Sequence, residues 1–130
     1  MSKHTPGPWE VRNRVEVFSK LGADSGDGCL AHASDGWMIA DCDPGVHTLT
    51  DEGFSDELGL GLKEANARLI AAAPELLDEL KSLYRAYVRL LEAAHDRILS
   101  LGGDCDPVDK MESEDQNLRS AQATISKATA

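Results

Sequence analysis

Glu64-Ala65-Asn66-Ala67-Arg68-Leu69-Ile70-Ala71-Ala72-Ala73-Pro74-Glu75-Leu76-Leu77 decides the fold of this chain, together with the apolar-periodic run that continues from it to Leu101. Alanine and leucine dominate the stretch, and both are strong helix formers. Ala65, Leu69 and Ala72 recur at helical spacing with Ile70 and Ala73 beside them, which predicts the buried face of a short helix. Pro74 has no N–H to donate and clashes with the preceding turn, so the helix breaks or kinks at Ala73-Pro74. Proline also suits the first turn of a new helix, where Glu75 meets the positive end of the dipole.

The second helix carries two apolar rows. Leu76, Leu80, Leu83, Tyr87, Leu90, Ala94, Ile98 and Leu101 form one; Leu77, Tyr84, Val88, Leu91 and His95 run alongside. Two rows make more apolar surface than one amphipathic helix needs. Either the N-terminal part covers both, or one row is the seam of a homo-oligomer with coiled-coil-like packing. The residues expected at such a seam are Leu76, Leu80, Leu83, Tyr84, Tyr87 and Leu91. Lys81, Arg85, Arg89 and Arg97 alternate with Asp78, Glu79, Glu92 and Asp96 at ion-pairing distances along the helix. Gly102-Gly103 ends it.

Upstream, Thr5-Pro6-Gly7-Pro8 is turn-rich. In the stretch that follows, Trp9, Val11, Val15 and Val17 alternate with Glu10, Arg12, Arg14 and Glu16, predicting one strand or a hairpin turning at Asn13. Trp9 reads as a core plug. Asp35-Gly36 lies between Cys29–His32 and Trp37–Cys42, a hairpin signal. The segment from Asp43 to Gly61 is polar and acidic and predicts a loop of about eighteen residues, long enough to have a purpose. Phe54 within it is a candidate lid or stacking group. After Gly103, Asp104 to Asp109 reads as a turn, and Met111 to Lys127 as a marginal helix on the row Leu118, Ala121, Ile125. The expected fold class is α+β: a small N-terminal antiparallel sheet of three or four strands packed on C-terminal helices, one of them long. The layout is a single domain over 1–130, with a β-rich head (1–60), two helices broken at Pro74 (62–101) and a marginal helix or tail (104–130).

Composition narrows the function classes. The chain has 130 residues, of which 42% are hydrophobic and only 5% aromatic, so its core is aliphatic and thin, which favours association. The net charge is −10, and between Leu21 and Leu62 there are nine acidic residues and no Lys or Arg. That argues against a duplex-DNA surface and leaves room for a basic protein partner. No window suits a membrane span, and the N-terminus lacks an apolar signal region. Cys29, Cys42 and Cys105 are odd in number and irregular in spacing, as expected of reduced thiols in a cytoplasm.

Catalytic patterns are absent from the sequence. The four histidines match no metal motif, Asp24 and Asp27 do not have calcium-loop spacing, and Gly59-x-Gly61 is not a phosphate loop. The reading is non-enzymatic, with no metal and no cofactor.

His4-Thr5-Pro6-Gly7-Pro8-Trp9, Ile39-Ala40-Asp41 and the Glu64–Leu77 block together resemble a family of small phage and prophage proteins. The likeness covers the first eleven residues and the middle of the chain. The layout is more distantly similar to the phage anti-Thoeris sponge proteins, oligomers that sequester cyclic ADP-ribose-type signals. That resemblance implies an aromatic that stacks a base, an asparagine, and arginines for phosphates. Phe54, Asn66 and Arg68, or Arg85 and Arg89, take those parts here. With a net charge of −10, such a site requires the arginines to converge locally. Asn66 has the plainer reading of a solvent-facing helix residue, and Arg68 that of a surface ion pair with Glu64. The leading expectation is a phage accessory protein of counter-defence type in the host cytoplasm, binding a nucleotide-like signal in a pocket shared between subunits. The alternative is an acidic protein-binding inhibitor of a host defence protein, such as a CRISPR-type or other nucleic-acid-binding system.

Overall fold

Valine-rich alternation on both sides of Asn13 folds back on itself. In the computed structural model, which describes residues 4–19, 36–43, 47–49, 55–57 and 59–130, strand β1 (Trp9–Arg12) pairs antiparallel with β2 (Glu16–Ser19). Asn13 and Arg14 take φ of 50° and 69°, the left-handed turn conformation that asparagine tolerates better than most residues. The turn puts Val11 opposite Val17 on the inner face, and Arg12 opposite Glu16 on the outer one. Strand β3 (Trp37–Asp41) adds to the far edge of β2, giving the order β1-β2-β3 with a register shift between Val17 and Phe18. Gly36 leads into β3 beside β2, and a Cβ there would lie 2.5 Å from the Ser19 carbonyl oxygen. The hairpin expected between 29–32 and 37–42 has its first half outside the described residues.

A second, two-stranded sheet joins β4 (His47–Leu49) to β5 (Ser55–Glu57) antiparallel, with Thr48 opposite Asp56. This corrects the expectation of a plain loop from Asp43 to Gly61. The strands are three residues each, too short for a hydrophobic alternation to be read from the sequence.

Helix α1 (Leu60–Ala71) packs on β1, β2 and β3. Its buried stripe is Lys63, Ala67 and Ala71, at i, i+4, i+8. The face expected from Ala65, Leu69 and Ala72 is therefore corrected: Leu69 is exposed, and Ala65 and Ala72 are half-buried. Small side chains won the inner face because they let the helix backbone approach the sheet, where Ala67 and Ala71 close over Val15, Val17 and Cys42. Trp9, Val11, Ile39, Ala40 and Ile70 complete this core.

Helix α1 ends at Ala71, whose neighbour Ala72 is its C-cap, and α2 (Ala73–Ser100) begins with Pro74 in its first turn. The break thus falls one residue ahead of the expected Ala73-Pro74 position. At the other end, Gly102 adopts φ +80°, and the N–H groups of Gly102 and Gly103 donate to the carbonyls of Leu99 and Ile98. This glycine-terminated arrangement satisfies carbonyls the helix leaves open.

The C-terminal segment is two helices where one was expected: α3 (Val108–Glu114) and α4 (Gln116–Thr129). Asp115 separates them. Its carboxylate accepts from the backbone N–H groups of Asn117 and Leu118 at 2.9 and 3.0 Å, an N-cap that opens α4. Leu118, in the first turn so capped, is buried.

The chain divides into two compact units. Thr5–Glu75 holds the three-stranded sheet and α1; Leu76–Ala130 holds the body of α2 with α3 and α4. Among the described residues no helix is long and apolar enough to cross a membrane.

Candidate functional site

In the Thr5–Glu75 unit the N-terminal turn segment is held at both ends. Ser19 donates to the Pro6 carbonyl at 2.9 Å, and the Trp9 indole N–H donates to the Thr5 carbonyl at 3.1 Å. Gly7 lies so close to Pro74 that a Cβ there would sit 2.9 Å from the proline Cβ. Trp9 and Val11 from β1 then face Arg68, Ala71, Ala72 and Glu75 across a shallow groove of about 390 Å³, edged by Glu10. An indole plane and a guanidinium in one groove can stack a flat ring and pair an anionic group. The glutamates at its edge disfavour a ligand with several negative charges.

Arg68 is exposed on α1 and does not form the ion pair with Glu64 that its i+4 spacing offered. Glu64 faces Arg14 of the β1–β2 turn instead, with Nη2 2.5 Å from Oε1, an ion pair outside hydrogen-bond alignment. Asn66 is exposed on α1 and does not line that groove. Phe54 lies outside the described residues. Lys63 is the buried cation among the described residues of the unit: 3% exposed, its ammonium 3.2 Å from the Asp43 carboxylate.

In the Leu76–Ala130 unit, Arg85 and Arg89 share one groove of about 300 Å³ with Tyr84, Val88, Glu92 and Glu112. Two glutamates balance the two arginines, so the groove carries no excess positive charge for a phosphate. A larger hollow of about 450 Å³ lies between Tyr84 and the α3–α4 pair, lined by Glu112, Leu118, Arg119 and Gln122 among others. The Tyr84 hydroxyl donates to Glu112, and that hydrogen bond, ahead of burial, raises its pKa above the usual 10.0. Tyr87 donates to Asp115 at 3.1 Å, with the same direction of shift.

The two rows of α2 end in different places. Leu77, Tyr84, Val88, Leu91 and His95 are all half-buried, on the side where Tyr84 meets α3 and α4. Leu76, Leu83 and Leu90 stay 53%, 67% and 66% exposed. Of the expected seam residues, Leu76, Leu83 and Tyr87 are therefore exposed, while Leu80, Tyr84 and Leu91 are half-buried. Leu90 was not among them; its place on the first row was the signal. Among the described residues the ion pairs expected along α2 do not form, as suits exposed side chains whose ordering offsets a small Coulomb gain. No group of three or more His, Cys, Asp or Glu among the described residues is placed to hold a metal.

The two segments that meet at the Trp9–Arg68 groove, 4–9 and 64–77, are two of the three blocks on which the resemblance to phage proteins rests. A family model describing Salmonella phage P22 protein Y8K6 matches residues 1–130. The chain belongs to the phage P22 Y8K6 family. Membership in the Y8K6 family covers the whole chain, including the C-terminal third that the motif likeness left out, and makes it a phage-type protein. No curated protein and no solved structure matches it. In this member of the Y8K6 family, Gly7 makes room for Pro74 and Trp9 shares a groove with Arg68, which ties residues 4–9 to residues 64–77.

Proposed function

We propose that this chain is a non-enzymatic phage accessory protein of counter-defence type that acts as a homo-oligomer in the host cytoplasm and captures a small nucleotide-like molecule. The observation that carries the ligand reading is the groove in which Trp9 faces Arg68. It supplies the stacking ring and the arginine that the nucleotide-sponge resemblance implies, with Trp9 in the part first given to Phe54. Its volume of about 390 Å³ falls in the range of small-molecule sites. One arginine among glutamates fits a ligand with a flat base and a single anionic group better than a polyphosphate. The Arg85–Arg89 groove is the lesser candidate, because Glu92 and Glu112 offset its charge.

Calorimetric titration of a panel of linear and cyclic nucleotides against the purified protein tests this. The expected result is binding by one class of compound, weakened roughly tenfold or more by Arg68→Ala and by Trp9→Leu. Silence across the panel would end the ligand reading. Expression beside a panel of bacterial defence systems tests the counter-defence role, which predicts that at least one system is silenced.

A second reading, an acidic inhibitor that docks on a basic host defence protein, is favoured by the net charge of −10. It predicts capture of a basic partner from host lysate that weakens steeply with salt.

A further inference from the structure

The exposed face of α2 matches itself when turned end over end. Along that face the residues step by three and four, and every one from Leu76 to Ser100 in this stripe is exposed. Leu83 and Leu90 alternate with Ala86 and Ala93, large then small. Glu79 lies four residues before Leu83, and Arg97 four residues after Ala93. Counting inward from Glu79 and from Arg97 therefore gives complementary series, acid–Leu–Ala–Leu against base–Ala–Leu–Ala.

We propose that a second copy of this chain covers this face as an antiparallel helix pair, with the two-fold axis level with Val88. In that register Leu83 meets Ala93 of the second copy, Leu90 meets Ala86, and Glu79 meets Arg97. Each pair occurs twice, as an isologous interface requires. Leucine fills the space that alanine leaves, which is the close-packed solution for two helices at short separation. A parallel pair in register sets leucine on leucine, alanine on alanine, Glu79 on Glu79 and Arg97 on Arg97, with voids and like-charge repulsion. Glu79 and Arg97 stand about 27 Å apart along one helix, so they cannot pair within a chain. The half-buried row of α2, on the side of Tyr84 and α3–α4, is unavailable to the second copy. This inference rests on the proposed self-association and is independent of the ligand.

The test is a charge swap on the full chain, read by sedimentation equilibrium and light scattering with helicity by circular dichroism as the folding control. All substituted side chains are exposed, so the fold is expected to survive. Glu79→Arg and Arg97→Glu are each expected to weaken the dimer about tenfold, and the double variant to restore it to within about threefold of the parent. Leu90→Glu is expected to leave a folded monomer. A parent protein that is monomeric at high concentration overturns both the self-association and this register. A dimer unaffected by Leu90→Glu leaves the self-association standing and removes this face. Weakening by both single swaps without rescue by the double removes the antiparallel register.

Discussion

Tyr84 and Tyr87 are the chain's two tyrosines, and each gives its hydroxyl proton to a carboxylate, Glu112 and Asp115 respectively. Both pKa values are raised above 10.0, first by those hydrogen bonds. The folded state therefore holds the phenolic protons more tightly than the unfolded one. That contribution is present below pH about 10 and is lost as pH climbs through the raised values. An alkaline absorbance titration is expected to show both tyrosines ionising late, with Glu112→Gln returning Tyr84 and Asp115→Asn returning Tyr87 toward ordinary behaviour. Asp115 runs the other way. Its pKa is lowered from 3.8, mainly by the Leu118 backbone N–H, with help from Tyr87 and the Asn117 N–H. Its contribution is present above that ordinary value and lost as pH falls through the lowered one. Asp115→Asn keeps a good cap, so it is expected to preserve α4 near neutrality while flattening the acid edge of α4 protection in hydrogen exchange. Lys63 poses a different balance, an almost fully buried ammonium beside a largely exposed Asp43. Replacing the ammonium removes a desolvation penalty together with a partner. Lys63→Met is expected to change stability by less than about 1 kcal/mol in urea unfolding, and Asp43→Ala to destabilise by more, because it keeps the buried ammonium and takes away one carboxylate that faces it.

Among the elements, the sheet and α1 are held by close approach. The small stripe Ala67 and Ala71 brings the helix down onto Val17, while Gly7 meets Pro74 and Gly36 meets the Ser19 carbonyl. In each case a methyl group would meet backbone or a rigid ring, neither of which can swing aside. Gly7→Ala and Gly36→Ala are each expected to destabilise the Thr5–Glu75 unit by about 1–3 kcal/mol, measured by thermal melts. Gly59, where an added Cβ meets nothing within 4 Å, is the matched control. Arg14 is the reverse case. Its left-handed φ is unfavourable for a side chain, and its ion pair with Glu64 offsets part of that. The helices α3 and α4 depend on Asp115 between them and on Leu118, a slender basis for docking that the weak row Leu118, Ala121, Ile125 already announced.

At the scale of the molecule, 23 acidic residues oppose 13 basic ones, and among the described residues the core of the Thr5–Glu75 unit is built from valine, alanine, isoleucine and Cys42 beside Trp9. Self-repulsion weighs heavily on so thin a core. Raising salt from low to physiological strength is expected to raise the melting temperature, since screening relieves like charges in the folded state most. Melting temperature is also expected to rise with protein concentration, as it does when association is linked to folding.

The α+β class, the interruption near Pro74, the glycine stop after Ser100 and the wide apolar surface of α2 were all legible in the chain, and the turn at Asn13 was one of two readings it allowed. Each depends on local propensity or on periodicity within one element. The same information could not say that α1 buries Lys63, Ala67 and Ala71 in preference to the Leu69 row, because that choice belongs to the sheet it must approach. Nor could it say that Glu64 pairs with Arg14 across the fold in preference to Arg68 one turn away, that His47–Leu49 pairs with Ser55–Glu57, or that Trp9 shares a groove with Arg68. The leucine row left open on α2 was decided in the same way. Residues at helical spacing mark a face as apolar, but only the placement of α3 and α4 settles which face is occupied and which remains exposed.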